Sequence, residues 1–207
     1  MAEIAPVRLF EDPLAPLLRR LDRPAHPSSD YDLAPMLAPS PRTPLKPAAV
    51  LVAFVEGARE PEVLLTRRSA ALRHHPGQIS LPGGRHEPGD ADLFATALRE
   101  AEEEVGLPAS AVTPLGRLPE HRTVTGFSVT PILGRVQGSF APRPDRREVD
   151  EVFRVPFSHL ADPGRYRIEE RLRNGQSRPY YVLPWGPYYI WGATARILRA
   201  LAERVHS

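Results

Sequence analysis

Apolar residues recur along this chain in two rhythms, and each change of rhythm marks an element. Ala48-Ala-Val-Leu-Val-Ala-Phe-Val55 is apolar throughout, bounded by Pro47 and Glu56-Gly57. A run this short and uninterrupted predicts a central strand buried on both faces. Glu62 to Thr66 reads as its partner across a turn, and Gln78 to Leu81 as a short third strand. Helical spacing takes over from Ala91 to Val105, which contains neither Gly nor Pro. There Leu93, Ala97, Leu98, Ala101 and Val105 supply the packing face, and Gly106 can close the helix in a left-handed cap. Val112 to Leu118 and Gly126 to Val136 return to strand patterning, the second strongly β-branched. Glu148 to Pro156 predicts a turn and then a short strand or helix that Pro156 stops. Tyr166 to Glu170 and Arg178 to Leu183 flank Asn174-Gly175, a pair that favours a tight hairpin. Last, Ile190, Thr194, Ile197, Leu198, Leu201 and Val205 share one face of a closing helix, Ile190 to Val205.

The first 46 residues differ. Leu9, Phe10, Leu14, Leu17, Leu18 and Leu21 give an amphipathic segment interrupted by Pro13 and Pro16, which predicts a short helix from about Pro13 to Leu21. The prolines from Pro24 to Pro41 then deny the backbone its helix donors and predict an extended connector. Residues 1–46 are therefore expected to be an N-terminal helix and proline-rich arm, and 47–207 a single domain. The arm has two places to pack, its own domain or a neighbouring subunit, and the second would make a homodimer. Strands before and after one internal helix, with a second long helix at the end, predict an α/β (α+β) fold: a mixed sheet with helices on both sides.

Composition narrows the class. A hydrophobic content of 42% over 207 residues argues against a disordered chain and for one well-cored domain. The absence of cysteine excludes disulfides, thiolate catalysis and Cys-type zinc sites. With 27 basic residues against 25 acidic, and no basic helix interleaved with aromatics, no nucleic-acid partner is expected. No apolar stretch approaches the ~20 residues of a membrane span, and the start lacks a signal-peptide pattern, so no membrane partner and a cytoplasmic location are expected.

The candidate chemistry lies where a glycine turn, Leu81-Pro-Gly-Gly-Arg-His-Glu-Pro-Gly-Asp90, runs into the internal helix. On that helix Glu100, Glu103 and Glu104 stand at i, i+3 and i+4, which gathers their carboxylates toward one face. Like charges at these spacings repel, and the last turn of a helix favours cations rather than anions. A positive charge is missing from the sequence. Three hard oxygen ligands beside a glycine turn suit Mg2+ or Mn2+, which retain waters and can hold phosphate oxygens at the same time. The plainer alternative is a solvated acidic face partly compensated by Arg99.

This run resembles the signature of the Nudix hydrolases, a Gly, five residues, Glu, seven residues, then Arg-Glu-apolar-x-Glu-Glu-x-Gly-apolar. Arg99 to Leu107 matches the second half without a gap. In the first half Gly84 plus six gives Asp90 in place of Glu, and eight residues separate it from Arg99. Either the turn carries an extra residue or Asp90 does not do the work of the family's first Glu. Upstream, Leu64-Leu-Thr, Arg73, three residues, Gly77, three residues and Leu81-Pro-Gly-Gly84 resembles the motif of coenzyme A pyrophosphatases within that family, with Leu81 where Phe is usual.

The resemblance implies an α/β/α Nudix sandwich from about residue 46 to 202. It also implies metal-dependent cleavage of the diphosphate of coenzyme A and its thioesters to 3′-phospho-AMP and 4′-phosphopantetheine. Carried onto this chain, Glu100, Glu103 and Glu104 are the expected metal ligands, and Glu103, Glu104 and Glu148 the candidates for water activation. Glu148 enters because a later acidic segment returns to the metal face in many members. Arg67, Arg68 and Arg73, with the Gly83-Gly84 backbone, are the expected substrate contacts. Trp185, Tyr188, Tyr189 and Trp191 either stack an adenine or pack on the last helix. Another Nudix substrate, such as ADP-ribose, a dinucleotide or a nucleoside triphosphate, and a non-catalytic binding module remain the alternatives.

Overall fold

The computed structural model describes residues 12–39, 44–173 and 175–206. Leu9 and Phe10 of the amphipathic segment and Asn174 of the expected hairpin lie outside them. In chain order the elements are α1 (Ala15–Leu18), β1 (Ser28–Ser29), β2 (Lys46–Val55), β3 (Glu62–Arg68), β4 (Ile79–Ser80), β5 (Gly83–Arg85), α2 (Leu93–Val105), β6 (Val112–Arg117), β7 (His121–Arg122), β8 (Phe127–Val136), β9 (Val149–Pro156), α3 (Phe157–Ala161), β10 (Arg167–Arg173), β11 (Gln176–Trp185), β12 (Tyr188–Trp191) and α4 (Gly192–His206).

β2 is apolar on both faces because both are covered. Ala48, Val52 and Phe54 join a core with Leu17 of α1, Leu160 of α3 and Leu198 and Leu201 of α4. Ala49, Leu51, Ala53 and Val55 point the other way, onto Ala97, Ala101 and Val105 of α2. Successive side chains of a strand alternate between faces, so one continuous apolar run serves two cores. β8 runs parallel to β2 along one edge, while β3 and β5 pair antiparallel with its two ends on the other. β4 and β9 extend from β3, and β6 and β7 from β8. The result is a mixed sheet between α2 on one side and α1, α3 and α4 on the other, the α/β sandwich that the pattern predicts.

The two strands of the expected hairpin pair antiparallel, and with β12 they form a separate sheet, β10-β11-β12. One expectation changes. Ile190 is fully buried but belongs to β12, because Tyr188-Tyr-Ile-Trp191 pairs with β11 and Gly192, at φ 64°, breaks the strand before α4 begins. The aromatic and β-branched content of those four residues outweighs the helical spacing they share with α4.

The arm packs on its own chain. α1 is a single turn, since Pro13 and Pro16 limit the helix, yet Leu14 and Leu17 enter the core. Arg204 of α4, itself buried, donates to the carbonyls of Leu21, Arg23 and Pro24. β1 then adds a parallel rung beside β7. His121, with no exposed surface, bridges Ser28 Oγ at 2.9 Å and Asp30 Oδ1 at 3.1 Å. The other oxygen of Asp30 accepts Val124 N–H at 2.8 Å. Replacing His121 with Ala leaves the buried Ser28 and the partly exposed Asp30 without this partner, so a loss of about 2 kcal/mol is expected in urea unfolding. No described helix is long and apolar enough to cross a membrane.

Candidate active site

α2 is placed by its two ends. Asp92 caps the first turn by accepting Ala95 N–H at 2.8 Å, so the helix starts at Leu93 rather than Ala91. Gly106 adopts φ 70° and ends it, with Gly106 N–H bonded to Glu102 O and Leu107 N–H to Ala101 O. Two further carbonyls near this end, Glu104 O and Val105 O, accept from Asp145 and Arg143 N–H. That contact draws residues 143–148 across the helix end, from where the charge of Glu148 acts on both Glu100 and Glu104.

The three glutamates divide. Glu100 and Glu104, one turn apart, face β5, whereas Glu103 lies about 100° round the helix from Glu104 and its side chain is 60% exposed. The expected convergence of three carboxylates is thus a convergence of two. Among the described residues no three acidic or histidine side chains sit together at metal-holding distance. Glu100 rests against Gly84 so closely that a Cβ there would fall 2.4 Å from its carboxylate. Gly84→Ala is expected to displace Glu100 and cut activity about 100-fold, as an ångström-scale misplacement can. Initial rates beside a thermal melt would separate this from simple unfolding.

Glu104 is 3% exposed, and its near partners are weak: Gly83 N–H at 3.4 Å and Arg68 Nη1 at 3.9 Å. Burial lifts its carboxyl to about 8, with the charges of Glu100 and Glu148 adding and Arg68 opposing. Burial also raises the Glu100 carboxyl, against the pull of Arg99 and with help from Glu103 and Glu148. A buried oxygen pair short of positive charge fits a hard divalent cation.

Arg99 is the hub of the turn. Its guanidinium grips both oxygens of Asp90 at 2.8 and 3.1 Å, donates to Arg85 O at 3.0 Å, and reaches Glu100 at 3.0 Å and Glu103 at 3.1 Å. Asp90 also accepts Glu87 N–H and the Thr96 hydroxyl. The Arg99 contact first, then Glu87 N–H, holds the Asp90 carboxyl well below the usual carboxylate range. Asp90 therefore orders the glycine turn.

The arginines also divide. A bulge shifts the β3–β9 register between Arg67 and Arg68, and the intervening Asp150 turns to accept Ala70 N–H at 3.0 Å. Arg68 faces Glu104, whereas Arg67 pairs with Glu151 at 3.2 Å. Glu151 in turn accepts the Tyr188 hydroxyl at 2.6 Å, and Tyr188 stacks on Phe153 at 3.6 Å. Arg73 is exposed on the β3–β4 loop. Beyond Arg68 opens a cavity of about 570 Å³, walled by the arm, the β3–β4 loop, the β7–β8 turn, β10, β11 and the start of α4. Tyr31, Arg171 and Arg178 line it, and local motif reading missed them because the sheet and arm that carry them lie far away in sequence.

A family model described as NUDIX domain matches residues 45–174. The chain belongs to the Nudix family. The Uncharacterized Nudix hydrolase NudL of Citrobacter koseri is 43% identical over 158 residues, 76% of this chain and 82% of its own. NudL of Shigella flexneri serotype 5b is 42% identical over 166 residues, covering 79% and 86%. Among solved structures, the MutT protein of Methanosarcina mazei Go1 is 21% identical with a TM-score of 0.48, covering 80% of this chain and 95% of that one. Nudix hydrolases act on pyrophosphate bonds of nucleoside diphosphate derivatives and use divalent metal ions. In this Nudix chain the second half of the signature forms the C-terminal part of α2 and its cap, and Glu100 and Glu104 are the residues it turns inward.

Proposed function

We propose that the chain hydrolyses the diphosphate bond of coenzyme A and its thioesters, releasing 3′-phospho-AMP and (acyl-)4′-phosphopantetheine. The observation that carries this reading is the position of Arg68. Its guanidinium faces Glu104 on one side and lines the 570 Å³ cavity on the other, so a diphosphate beside the carboxylates has a nucleotide-sized space next to it. The motif from Leu64 to Gly84 builds this junction.

Glu100 and Glu104 would hold Mg2+ or Mn2+, with Glu103 at the solvent side of the same helix as a third ligand. When bound, such an ion neutralises phosphate charge and lowers the pKa of a bound water. Arg99 keeps Glu100 in place, and the side-chain-free Gly83-Gly84 backbone lets it approach β5. Arg68 would take a diphosphate oxygen. Glu148, whose charge acts on both Glu100 and Glu104, would orient the attacking water and accept its proton. Arg73, exposed on the loop, is the second candidate for phosphate, and Arg67 serves the wall through Glu151.

A substrate panel with Mg2+ tests this. Coenzyme A should exceed ADP-ribose, dinucleotides and nucleoside triphosphates at least about tenfold in kcat/KM, a margin worth ~1.4 kcal/mol of transition-state binding. A preference of that size for any of the others would overturn the coenzyme A assignment and keep the hydrolase.

A further inference from the structure

Arg171 and Arg178 stand directly opposite one another in the β10–β11 ladder, and both line the 570 Å³ cavity. Like charges facing each other across a strand pair repel. The acid that borders the cavity, Asp30, is engaged elsewhere: its two oxygens bond His121 Nε2 and Val124 N–H. The Nε of Arg178 is buried and has no hydrogen-bond partner among the described residues. The start of α4, Gly192 to Thr194, borders the same space, and the first turn of this 15-residue helix contains no acid. A helix start adds positive potential to that of the two guanidiniums. Beside them Tyr180 and Trp191 meet edge to face, with ring centroids 5.4 Å apart, and form an apolar wall suited to a planar base.

We infer that Arg171 and Arg178 form a subsite for a phosphate monoester on the nucleoside end of the substrate, separate from the diphosphate that is cleaved. Its ligand is a purine nucleotide with one phosphate more than a simple nucleoside diphosphate derivative, the base resting on Tyr180 and Trp191. This rests on the coenzyme A reading and assigns recognition of the 3′-phosphate to the small sheet. Arg68 joins the two regions: it faces Glu104 and also borders the cavity.

Binding of adenosine 3′,5′-bisphosphate and of AMP to the full metal-free chain, measured by calorimetry, tests the subsite without turnover. The bisphosphate should bind at least about tenfold more tightly than AMP, as two added charge-assisted contacts allow. Arg178→Gln, which keeps most of the side-chain volume, and Arg171→Ala, at an exposed position, should each reduce that ratio to about threefold or less while leaving AMP affinity unchanged. Equal binding of the two nucleotides by the wild type, or a ratio that survives in the double variant, would overturn the subsite. An equal loss of AMP and bisphosphate binding in Arg178→Gln would also overturn it. If the ratio behaves as expected but coenzyme A is not cleaved, the functional reading fails and the subsite stands.

Discussion

Replacing Glu104 with Gln is expected to lower hydrolysis about 1,000-fold and, at pH 8, to make the metal-free protein more stable. Both effects arise from one carboxylate buried without enough positive charge. Its carboxyl stands near 8 in the folded chain, against 4.5 as the reference for an exposed group. Below about pH 4.5 it is neutral in both states and adds no penalty. As pH rises toward 8 the folded chain holds a proton that the unfolded chain has released, so stability falls across that window and levels off above it. The full penalty is on the order of 3–5 kcal/mol. Gln, which carries no charge, should flatten the pH dependence between 4.5 and 8. Urea midpoints at several pH values would show this, and the two proteins should converge near pH 4.5. Added Mg2+ should stabilise the wild type and not the Gln variant. A variant less stable than wild type at pH 8 would mean that Glu104 is already compensated in the folded chain.

Arg99→Ala should lower activity about 100-fold and reduce the melting temperature, because five contacts of one guanidinium are lost together. Asp90 would face the glycine turn without its main partner, and Glu100 would lose the group that fixes its orientation against Gly84. Lys should not restore function, since a single ammonium cannot serve Asp90, Arg85 O and Glu100 in three directions. Rates and melts for the Ala and Lys variants check this together. Full activity in the Lys variant would show that Arg99 supplies charge alone.

How much of the molecule is legible in its sequence depends on how local each cause is. The β2 run, α2 with its Gly106 cap and the pairing of an acidic helix with a glycine turn depend on neighbours within a few residues, and all three lie where the pattern put them. The inward turn of Glu100 and Glu104 but not Glu103 depends on where β5 sits, which helical spacing alone does not specify. Arg67 and Arg68 look equivalent in sequence. The β-bulge at Asp150, some 80 residues later, places them with different partners. The cavity was least accessible of all, because Tyr31, Arg68, Arg178 and Trp191 meet only when the arm and the small sheet close over the β3–β4 loop. The proline-rich arm read as a connector because proline content reports on helix avoidance and says nothing of burial. Ser28, His121 and Asp30 tie it down through side chains that no periodicity reveals.

Weighing the products of coenzyme A after incubation with the protein and Mg2+ tests diphosphate cleavage most directly. Mass spectrometry should find 3′-phospho-AMP and 4′-phosphopantetheine, both formed about 1,000-fold more slowly in the Glu104→Gln reaction. Dephospho-coenzyme A with inorganic phosphate, or no product at all, would contradict the assignment.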